Sequence, residues 1–259
     1  NASIATTNSA FADNTYDVYA DGGTLTQPVV WTVQSNYSLW LGRALNVASN
    51  ASLTVSAGTV VKFPQYTYID VYGQLIAAGT ASDRVYFTDN RDDTVGGDAN
   101  HNTTNSVPAP YWWYGISTMN TGSIRMAQAE VRYGGYNSRY GVRKQAAGSL
   151  ALTNCVITRT SGDGLVVDAG GGTTSLSGVQ IISNEYSGLY LSAGQINPVN
   201  CVFGGNAMHG LYQELNASAN VTNNAFWGNG TAPMGVGGGT LTNQLILRKA
   251  GADPFVIRS

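Results

Sequence analysis

Four segments between Leu152 and Val236 decide the fold, because they align with one another. They read LTNCVITRTSGDGLVV from Leu152, LSGVQIISNEYSGLYL from Leu176, PVNCVFGGNAMHGLYQ from Pro198 and VTNNAFWGNGTAPMGV from Val221. One glycine recurs at the same point of the first three segments, at Gly164, Gly188 and Gly210, with spacings of 24 and 22 residues. Self-similarity at a fixed period of this size predicts a repeat architecture.

Each segment combines short alternating runs with corner residues. Leu189 and Leu191 flank Tyr190, an alternation that indicates a β-strand. Two series of turn residues keep the spacing of the repeat: Asn154, Gly178, Asn200 and Asn223 form the first, and Thr160, Asn184, Asn206 and Asn229 form the second. Asn and Gly favour the positive-φ conformation that tight corners need. Each repeat is therefore predicted to consist of strands joined by corners.

The spacing leaves few architectures open. Strands and corners in about 23 residues leave no room for a crossover helix between parallel strands. The run Leu-x-x-Leu-x-Leu of leucine-rich repeats is missing, and a propeller blade needs about 40 residues. The remaining architecture is an all-β parallel β-helix, a solenoid with coils of about 23 residues in which equivalent residues stack ~4.8 Å apart.

The period divides the chain into a long solenoid with capped ends. We expect the coils over residues 29–247, with an inserted acidic loop at 89–110. Residues 1–28 lack the period and are predicted to form an N-terminal cap or a linker. The tail 248–259 is predicted to be a C-terminal cap, because the terminal strands of a solenoid need protection from edge-to-edge pairing.

The composition argues against several classes of partner. Hydrophobic residues make up 43% of the chain, charged residues make up only 11%, and the formal net charge is −2. Proteins that bind nucleic acid carry a basic patch, so we expect no nucleic-acid partner. No run of about 18 apolar residues occurs, so we expect no membrane insertion.

The two cysteines occupy one position of the repeat. Cys155, Val179 and Cys201 are predicted to point inward on three successive turns. The two cysteines would then lie about 9.6 Å apart, whereas a disulfide needs Cα atoms within about 7 Å. Both thiols are therefore expected to be free and buried.

The first half of the chain resembles a known family. The segments YSLWLGRALNVASNASLTVSAGTVVKF (37–63), GQLIAAGTASDRVYFTDNRDDTVGGDAN (73–100) and APYWWYGI (109–116) resemble bacterial extracellular right-handed β-helix surface proteins. The later repeats resemble the generic parallel β-helix repeat of pectinases, adhesins and phage tailspikes. The resemblance implies a right-handed parallel β-helix, a secreted or cell-surface location and a place in large adhesins. Fold does not give function, and most such proteins have no assigned activity.

The acidic loop contains the candidate metal ligands Asp89, Asp92, Asp93, Asp98, Asn100 and Asn102. The D-x-N-x-N spacing at 98–102 lets alternate side chains converge on one cation. Ca²⁺ takes six to eight oxygen ligands of these types, so calcium is the expected cofactor. No Glu follows at the spacing of an EF-hand. The alternative is a solvated insertion loop without a metal, and His101 is interpreted as a loop residue.

An aromatic run before Gly115 contains the first candidate ligand-binding residues. Alternation is predicted to place one of Trp112 and Trp113 in the core and the other against the acidic loop. The pair is interpreted as packing, with a sugar-stacking platform as the alternative.

The repeat register provides the second candidate ligand-binding set. Arg143, Val166, Tyr190 and Tyr212 are predicted to point outward in one axial row. Tyrosine rings combine an apolar face with a hydroxyl group, which suits a polysaccharide or a host or matrix glycan. The alternative is a tyrosine ladder that only stabilises neighbouring strands.

Catalysis has little support, because the sequence shows no catalytic triad, phosphate loop or zinc spacing. Asp168 and Glu214 share a row two turns apart, about 9.6 Å by stacking, at the edge of the separation in inverting glycosidases. The sequence favours a non-catalytic surface or adhesin module that binds glycans and is braced by calcium. One alternative is a polysaccharide lyase or glycoside hydrolase with a groove lined by Arg143, Asp168 and Glu214. The other is a filament subunit that self-associates end to end.

Overall fold

The computed structural model shows a chain of β-strands wound into a solenoid. It describes residues 1–6, 9–10, 16–34, 36–100, 102, 105–137, 139–145, 147–168, 171–238 and 240, and the backbone of 256–257. Within these residues every regular element is a strand, and none contains a helix long and apolar enough to cross a membrane.

In chain order the strands are β1 (Ile4–Ala5), β2 (Val18–Ala20), β3 (Gly23–Leu25), β4 (Val29–Thr32), β5 (Ser38–Leu41), β6 (Leu45–Val47), β7 (Ser52–Ser56), β8 (Val60–Phe63), β9 (Tyr68–Val71), β10 (Gln74–Ala78), β11 (Val85–Asp89), β12 (Gly115–Thr118), β13 (Ser123–Ala127), β14 (Ala129–Arg132), β15 (Tyr140–Lys144), β16 (Ser149–Thr153), β17 (Val156–Thr158), β18 (Asp163–Val167), β19 (Thr174–Ser177), β20 (Gln180–Ile182), β21 (Leu189–Leu191), β22 (Gly194–Ile196), β23 (Val202–Gly204), β24 (His209–Gln213), β25 (Ala217–Ala219), β26 (Ala225–Trp227), β27 (Ala232–Val236) and β28 (Val256–Ile257).

Three long parallel sheets contain most of these strands. Sheet A has the order β1-β4-β7-β10-β13-β16-β19, sheet B the order β2-β5-β8-β11-β14-β17-β20-β23-β26, and sheet C the order β3-β6-β9-β12-β15-β18-β21-β24-β27-β28. Strands β22 and β25 pair with each other in a separate two-stranded sheet. Because the chain returns to each long sheet at every third strand, up to β19 in sheet A, β26 in sheet B and β27 in sheet C, it winds through about nine turns of about 24 residues. The predicted parallel solenoid is confirmed.

Equivalent residues of successive turns lie in axial rows, as the spacing predicts. Leu165 pairs in register with Leu189, and Leu189 pairs with Leu211, so the glycines that precede them are aligned. The row continues back through Val142 to Ile116, and all five side chains are fully buried. Burial of each such side chain contributes about 2 kcal/mol. The core is therefore a continuous apolar column inside the coils.

The first series of turn residues has the predicted conformation. Asn154, Gly178, Asn200 and Asn223 all have positive φ, at 51°, 63°, 53° and 62°. Most side chains clash with the backbone in this conformation, whereas Gly and Asn visit it routinely. The recurrence of these two residue types at one corner thus follows a steric preference, although Gln128 adopts the same conformation at this corner one turn earlier, at φ 48°.

The second series forms a ladder of buried amides. Nδ2 of Asn184 donates to Oδ1 of Asn206 at 2.9 Å, and Nδ2 of Asn206 donates to Oδ1 of Asn229 at 3.0 Å. The backbone N–H groups of Asn184 and Asn206 donate to the same two oxygens. At the start of the ladder, the hydroxyl of Thr160 donates to Oδ1 of Asn184 at 2.9 Å. The ladder gives partners to polar groups that burial removes from water.

The cysteines are free and buried, as predicted. Val156, Gln180 and Val202 pair in register on β17, β20 and β23, which places Cys155 and Cys201 two turns apart in one row. Burial raises the pKa of both thiols. Because the thiolate is the reactive form of cysteine, both side chains are expected to be inert in the folded protein.

Residues 1–28, predicted as a cap or linker, contribute one strand to each long sheet. Strand β1 pairs with β4, β2 with β5 and β3 with β6, so this segment continues the solenoid by one turn. At the other end β28 pairs with β27, and the rest of the predicted cap 248–259 lies outside the described residues. The capping roles and end-to-end self-association stay predictions.

Candidate functional site

Two tyrosines on the outer face of sheet C form an aromatic surface. Tyr190 on β21 pairs in register with Tyr212 on β24, and the row continues back through Val166 to Arg143, as predicted. The rings of Tyr190 and Tyr212 are stacked, with centroids 5.6 Å apart and 10° between their planes. Parallel pairing of the two strands therefore stacks the two phenol rings one turn apart, so that each ring covers part of a face of the other.

A pocket of about 300 Å³ lies at this tyrosine pair. Its lining, which we call the tyrosine pocket, consists of Asp163, Tyr186, Ser187, Tyr190, Met208, His209, Tyr212 and Glu214. These residues belong to three successive turns, because β18, β21 and β24 are neighbours in sheet C. Apolar ring faces combined with a few polar groups are typical of pockets that bind small ligands.

Glu214 lies at the tip of Tyr190. The hydroxyl of Tyr190 donates to Oε1 of Glu214 at 2.5 Å. Burial, and after it this hydrogen bond, raises the pKa of Tyr190 well above its usual value, so the hydroxyl stays protonated. A Cβ atom at Gly237 would collide with Oε2 of Glu214 and would lie 3.0 Å from Oη of Tyr212. The glycine thus leaves room for the carboxylate beside the two hydroxyl groups.

A row of three polar residues also lines the tyrosine pocket. The backbone N–H of Ser187 donates to Oδ1 of Asp163 at 2.9 Å, and the Ser187 hydroxyl lies 3.5 Å from Nδ1 of His209. Burial raises the pKa of Asp163 to about 6, although its bonds with Ser187 oppose the shift. Asp163 therefore exchanges its proton near pH 6, well above the range of an exposed aspartate.

Arg143 belongs to the predicted row but does not line the tyrosine pocket. Its guanidinium forms an ion pair with Asp168, with Nη2 at 2.5 Å from Oδ2, and Nε donates to the same oxygen at 2.6 Å. Glu214 instead binds Tyr190. Arg143 and Asp168 therefore bind each other, whereas Glu214 lines the pocket, and the enzyme alternative stays a prediction.

The two tryptophans divide between core and loop, as the alternation predicts. Trp113 is fully buried and stacks on Phe63, with ring centroids 4.0 Å apart. Trp112 is half-buried, its Nε1 donates to Asn90 at 2.6 Å, and the guanidinium of Arg91 lies 3.4 Å from its ring centroid. Trp113 has no surface left for a ligand, so the ligand-binding prediction is wrong for that residue, whereas the sugar-stacking alternative for Trp112 stays a prediction.

Buried ion pairs hold the acidic loop against sheet B. Asp89 pairs with Arg91 at 2.6 Å, and Asp92 pairs with Arg132 of β14 at 2.9 Å; both carboxylates are fully buried. The hydroxyl of Thr88 also donates to Asp92 at 2.6 Å. Two of the six predicted calcium ligands are therefore already neutralised by guanidinium groups of the chain.

Asp93 and Asp98 are only partly buried and lie near a lysine. Burial, and after it the negative charge of Asp98, raises the pKa of Asp93. Below the loop, Nζ of the fully buried Lys62 donates to the carbonyl oxygen of Gly97. Burial lowers the pKa of Lys62, and the nearby aspartates oppose this shift. The carboxylates of Asp93 and Asp98 therefore repel each other, and the ammonium group of Lys62 lies near them.

The remaining predicted ligands are two amides held by one serine. Nδ2 of Asn100 and Nδ2 of Asn102 donate to the hydroxyl of Ser106 at 3.0 and 2.7 Å. Oδ1 of Asn100 is buried and accepts no hydrogen bond from the described residues. His101 lies outside those residues. In the part of the chain that the structure describes, no group of three or more His, Cys, Asp or Glu is arranged to hold a metal ion.

A second tyrosine cluster, at the surface, escaped the sequence analysis. The ring centroid of Tyr136 lies 4.6 Å from Tyr66, 4.8 Å from Tyr111 and 5.1 Å from Tyr114. Tyr66 and Tyr111 have φ values of 67° and 78° and expose about half of their surface, 51% and 46%. Bulky residues rarely adopt positive φ, so surrounding contacts must hold these two in a strained conformation. No periodic signal marks the cluster, since its members come from irregular corners.

Comparison with known proteins identifies the family. The sequence matches the family model for a right-handed β-helix region over residues 95–247, more than half of the chain. The chain belongs to this family. Neither the curated proteins nor the solved structures include a match. In this right-handed β-helix the tyrosine pocket lies wholly inside the matched residues, whereas the acidic loop begins before them. Fold alone does not give function, so the functional argument rests on the pocket.

Proposed function

We propose that this right-handed β-helix is a non-catalytic, glycan-binding module of a secreted or cell-surface protein, and that the tyrosine pocket is its binding site. The stacked pair of Tyr190 and Tyr212 carries the proposal. The resemblance to bacterial surface proteins supports an adhesive role. The expected partner is a polysaccharide or a host or matrix glycan.

The chemistry of the pocket suits a sugar ring. Pyranose rings present an apolar face of C–H groups and an edge of hydroxyl groups. The parts of the Tyr190 and Tyr212 rings that their stacking leaves uncovered can contact the apolar side, because tyrosine offers a rigid apolar surface with a polar tip. Glu214, Ser187 and His209 supply acceptors and donors for the hydroxyl edge. A single contact of this kind is weak, so adhesion would depend on several modules binding together.

Mutation of the tyrosine pair tests the proposal. Tyr190→Ala with Tyr212→Ala should reduce binding to a glycan array at least about tenfold, because stacking contributes the apolar contact area. Tyr190→Phe with Tyr212→Phe keeps the ring faces and should retain part of the affinity. Array fluorescence, followed by calorimetry on the bound glycans, gives the measurement.

The matched control is Tyr19→Ala, which removes an exposed ring from β2, on a different sheet. Tyr19→Ala should bind as the parent does. If the double alanine variant binds the same glycans as well as the parent, the proposed site is wrong. If it unfolds in mild denaturant while the parent does not, the tyrosines are a structural ladder.

One observation favours hydrolysis as a second candidate function. Asp163, whose pKa is raised to about 6, lines the same pocket as Glu214. Carboxyl groups in contrasting environments are how glycosidases separate their acid from their base. Incubation of bound oligosaccharides with the parent and with Asp163→Asn, followed by measurement of new reducing ends, separates the two functions. If the parent releases reducing ends and Asp163→Asn does not, the protein is a hydrolase and the non-catalytic proposal is wrong.

We also propose that Ca²⁺ braces the acidic loop, bound by Asp93, Asp98, Asn100 and Asn102. Asp89 and Asp92 are left out of this set because their carboxylates already pair with arginines. The mutual repulsion of Asp93 and Asp98 supports the proposal, since a divalent cation would relieve it. The buried Oδ1 of Asn100 adds an oxygen of the type that Ca²⁺ prefers.

A further inference from the structure

We infer that the tyrosine pocket selects uncharged sugars and rejects uronic acids and other acidic sugars, and that the carboxylate of Glu214 is the main cause of this selectivity. This inference rests on the proposed glycan-binding function and names its ligand class. It follows from the charges of the pocket, the state of the neighbouring cations and the position of the Glu214 carboxylate.

The lining of the pocket carries negative charge, and among its described residues His209 is the one side chain that can become a cation. Asp163 and Glu214 are the two carboxylates among the described residues that line it, and no lysine or arginine is among them. An acidic sugar entering this lining would place a third carboxylate beside the first two. Like charges brought together in a partly desolvated site oppose binding.

The nearest cations of the same face are engaged elsewhere. Arg143 is paired with Asp168 through two nitrogen atoms. Lys144, the next residue, is buried, and its Nζ donates to the carbonyl oxygen of Gly171 at 2.7 Å. A sugar carboxylate would have to displace Asp168 to reach the Arg143 guanidinium. Neither cation is therefore placed to recruit an acidic sugar.

A hydrogen bond fixes Glu214 at the tip of Tyr190, inside the lining of the pocket. Its Oε1 accepts the hydrogen bond of the Tyr190 hydroxyl, and its Oε2 lies on the Gly237 side. The carboxylate is thus held at the hydroxyl end of Tyr190, in the lining of the pocket. A sugar bound in the pocket against the uncovered ring surface would bring its exocyclic groups within reach of this carboxylate. A hydroxyl there can donate to Glu214, whereas a carboxylate there meets an equal charge.

Paired oligosaccharides test the inference. Oligomers of galactose and of glucose are compared by calorimetry with the corresponding oligomers of galacturonic and glucuronic acid, at pH 7.5 and low salt. The parent should bind a neutral series at least about tenfold more tightly than its acidic counterpart, and added salt should narrow the gap by screening the repulsion. Glu214→Gln keeps an oxygen that accepts from Tyr190, and it should raise affinity for the acidic series at least about fivefold.

The outcomes separate the inference from the proposed function. Equal binding of neutral and acidic oligomers by the parent, or a preference for the acidic ones, overturns the inference while glycan binding stands. Discrimination that survives in Glu214→Gln and in Glu214→Gln with Asp163→Asn overturns the role of the carboxylates. Binding of neither series, and of no other glycan, overturns the proposed function itself. Thermal unfolding of each variant verifies that the comparison is made between folded proteins.

Discussion

The guanidinium of Arg132 lies 2.9 Å from the carboxylate of Asp92, and both side chains are almost completely buried. Arg132 belongs to β14 of the solenoid, whereas Asp92 belongs to the inserted loop. This ion pair therefore joins the loop to the coils at a site with little solvent access. Charges in such a place are costly to leave alone, because each has lost its hydration.

Arg132→Met should destabilise the docked loop by about 3–5 kcal/mol, because it leaves the Asp92 carboxylate buried without its cation. Urea denaturation would measure the loss of global stability, and hydrogen exchange of the loop amides would detect local undocking. Arg132→Met with Asp92→Leu should recover much of the loss, since an apolar pair replaces the ion pair. Equal losses in the single and double variants would contradict the assigned role.

Calcium should bind the loop with a Kd on the order of 10⁻⁴–10⁻³ M, the range of extracellular calcium modules. Asp93→Asn with Asp98→Asn should abolish the heat of binding in calorimetry. Asp83→Asn, an exposed aspartate outside the loop, provides the control and should bind as the parent does. Chelation should loosen the loop without unfolding the coils. If the parent protein shows no heat of calcium binding, the proposal that calcium braces the loop is wrong.

Asn206→Ala should destabilise the solenoid by about 3 kcal/mol or more, because it breaks four hydrogen bonds at a buried corner. The backbone N–H of Asn184 and the carbonyl of Ile181 would lose their partner. Chemical denaturation gives the measurement. Asn197→Ala, at an exposed position, is the control and should change stability by less than about 0.5 kcal/mol. Similar effects of the two substitutions would show that the ladder is not stabilising.

Asp163 should make the folded protein more stable as the pH falls from about 7 to about 4. Its pKa is about 6 in the folded protein against an ordinary value of 3.8, so the folded state binds the proton more tightly. The stabilising contribution is complete below pH 4 and is lost as the pH rises through 6. A shift of this size corresponds to about 3 kcal/mol.

Asp163→Asn isolates this contribution, because its amide oxygen can still accept from Ser187 while no proton is exchanged. The variant should match the parent near pH 4 and should be the more stable protein above pH 7. Urea midpoints measured at half-unit intervals between pH 4 and 8 give the difference. If the urea midpoints of the parent and the variant change with pH in the same way, the pKa of Asp163 is not raised in the folded protein.

The repeat made the fold and the row of candidate residues predictable. One period aligned Leu165 with Leu189 and Leu211, and the same period placed Tyr190 beside Tyr212 on the outer face. The corner series of Asn and Gly was readable because positive φ admits few residue types. Alternation predicted that one of Trp112 and Trp113 lies in the core, but only the structure identified Trp113 as the buried one.

The sequence alone determined the parallel solenoid, its axial rows and its outward tyrosines, because these depend on regular spacing and on local conformation. Only the tertiary structure decided that Arg143 pairs with Asp168, that Asp92 belongs to Arg132, and that Asp163 and Glu214 line one pocket with the tyrosines. Those relationships join side chains from different turns. Their partners are set by burial and by rotamers, which carry no periodic signal, and burial in turn sets the charge each site presents to a ligand.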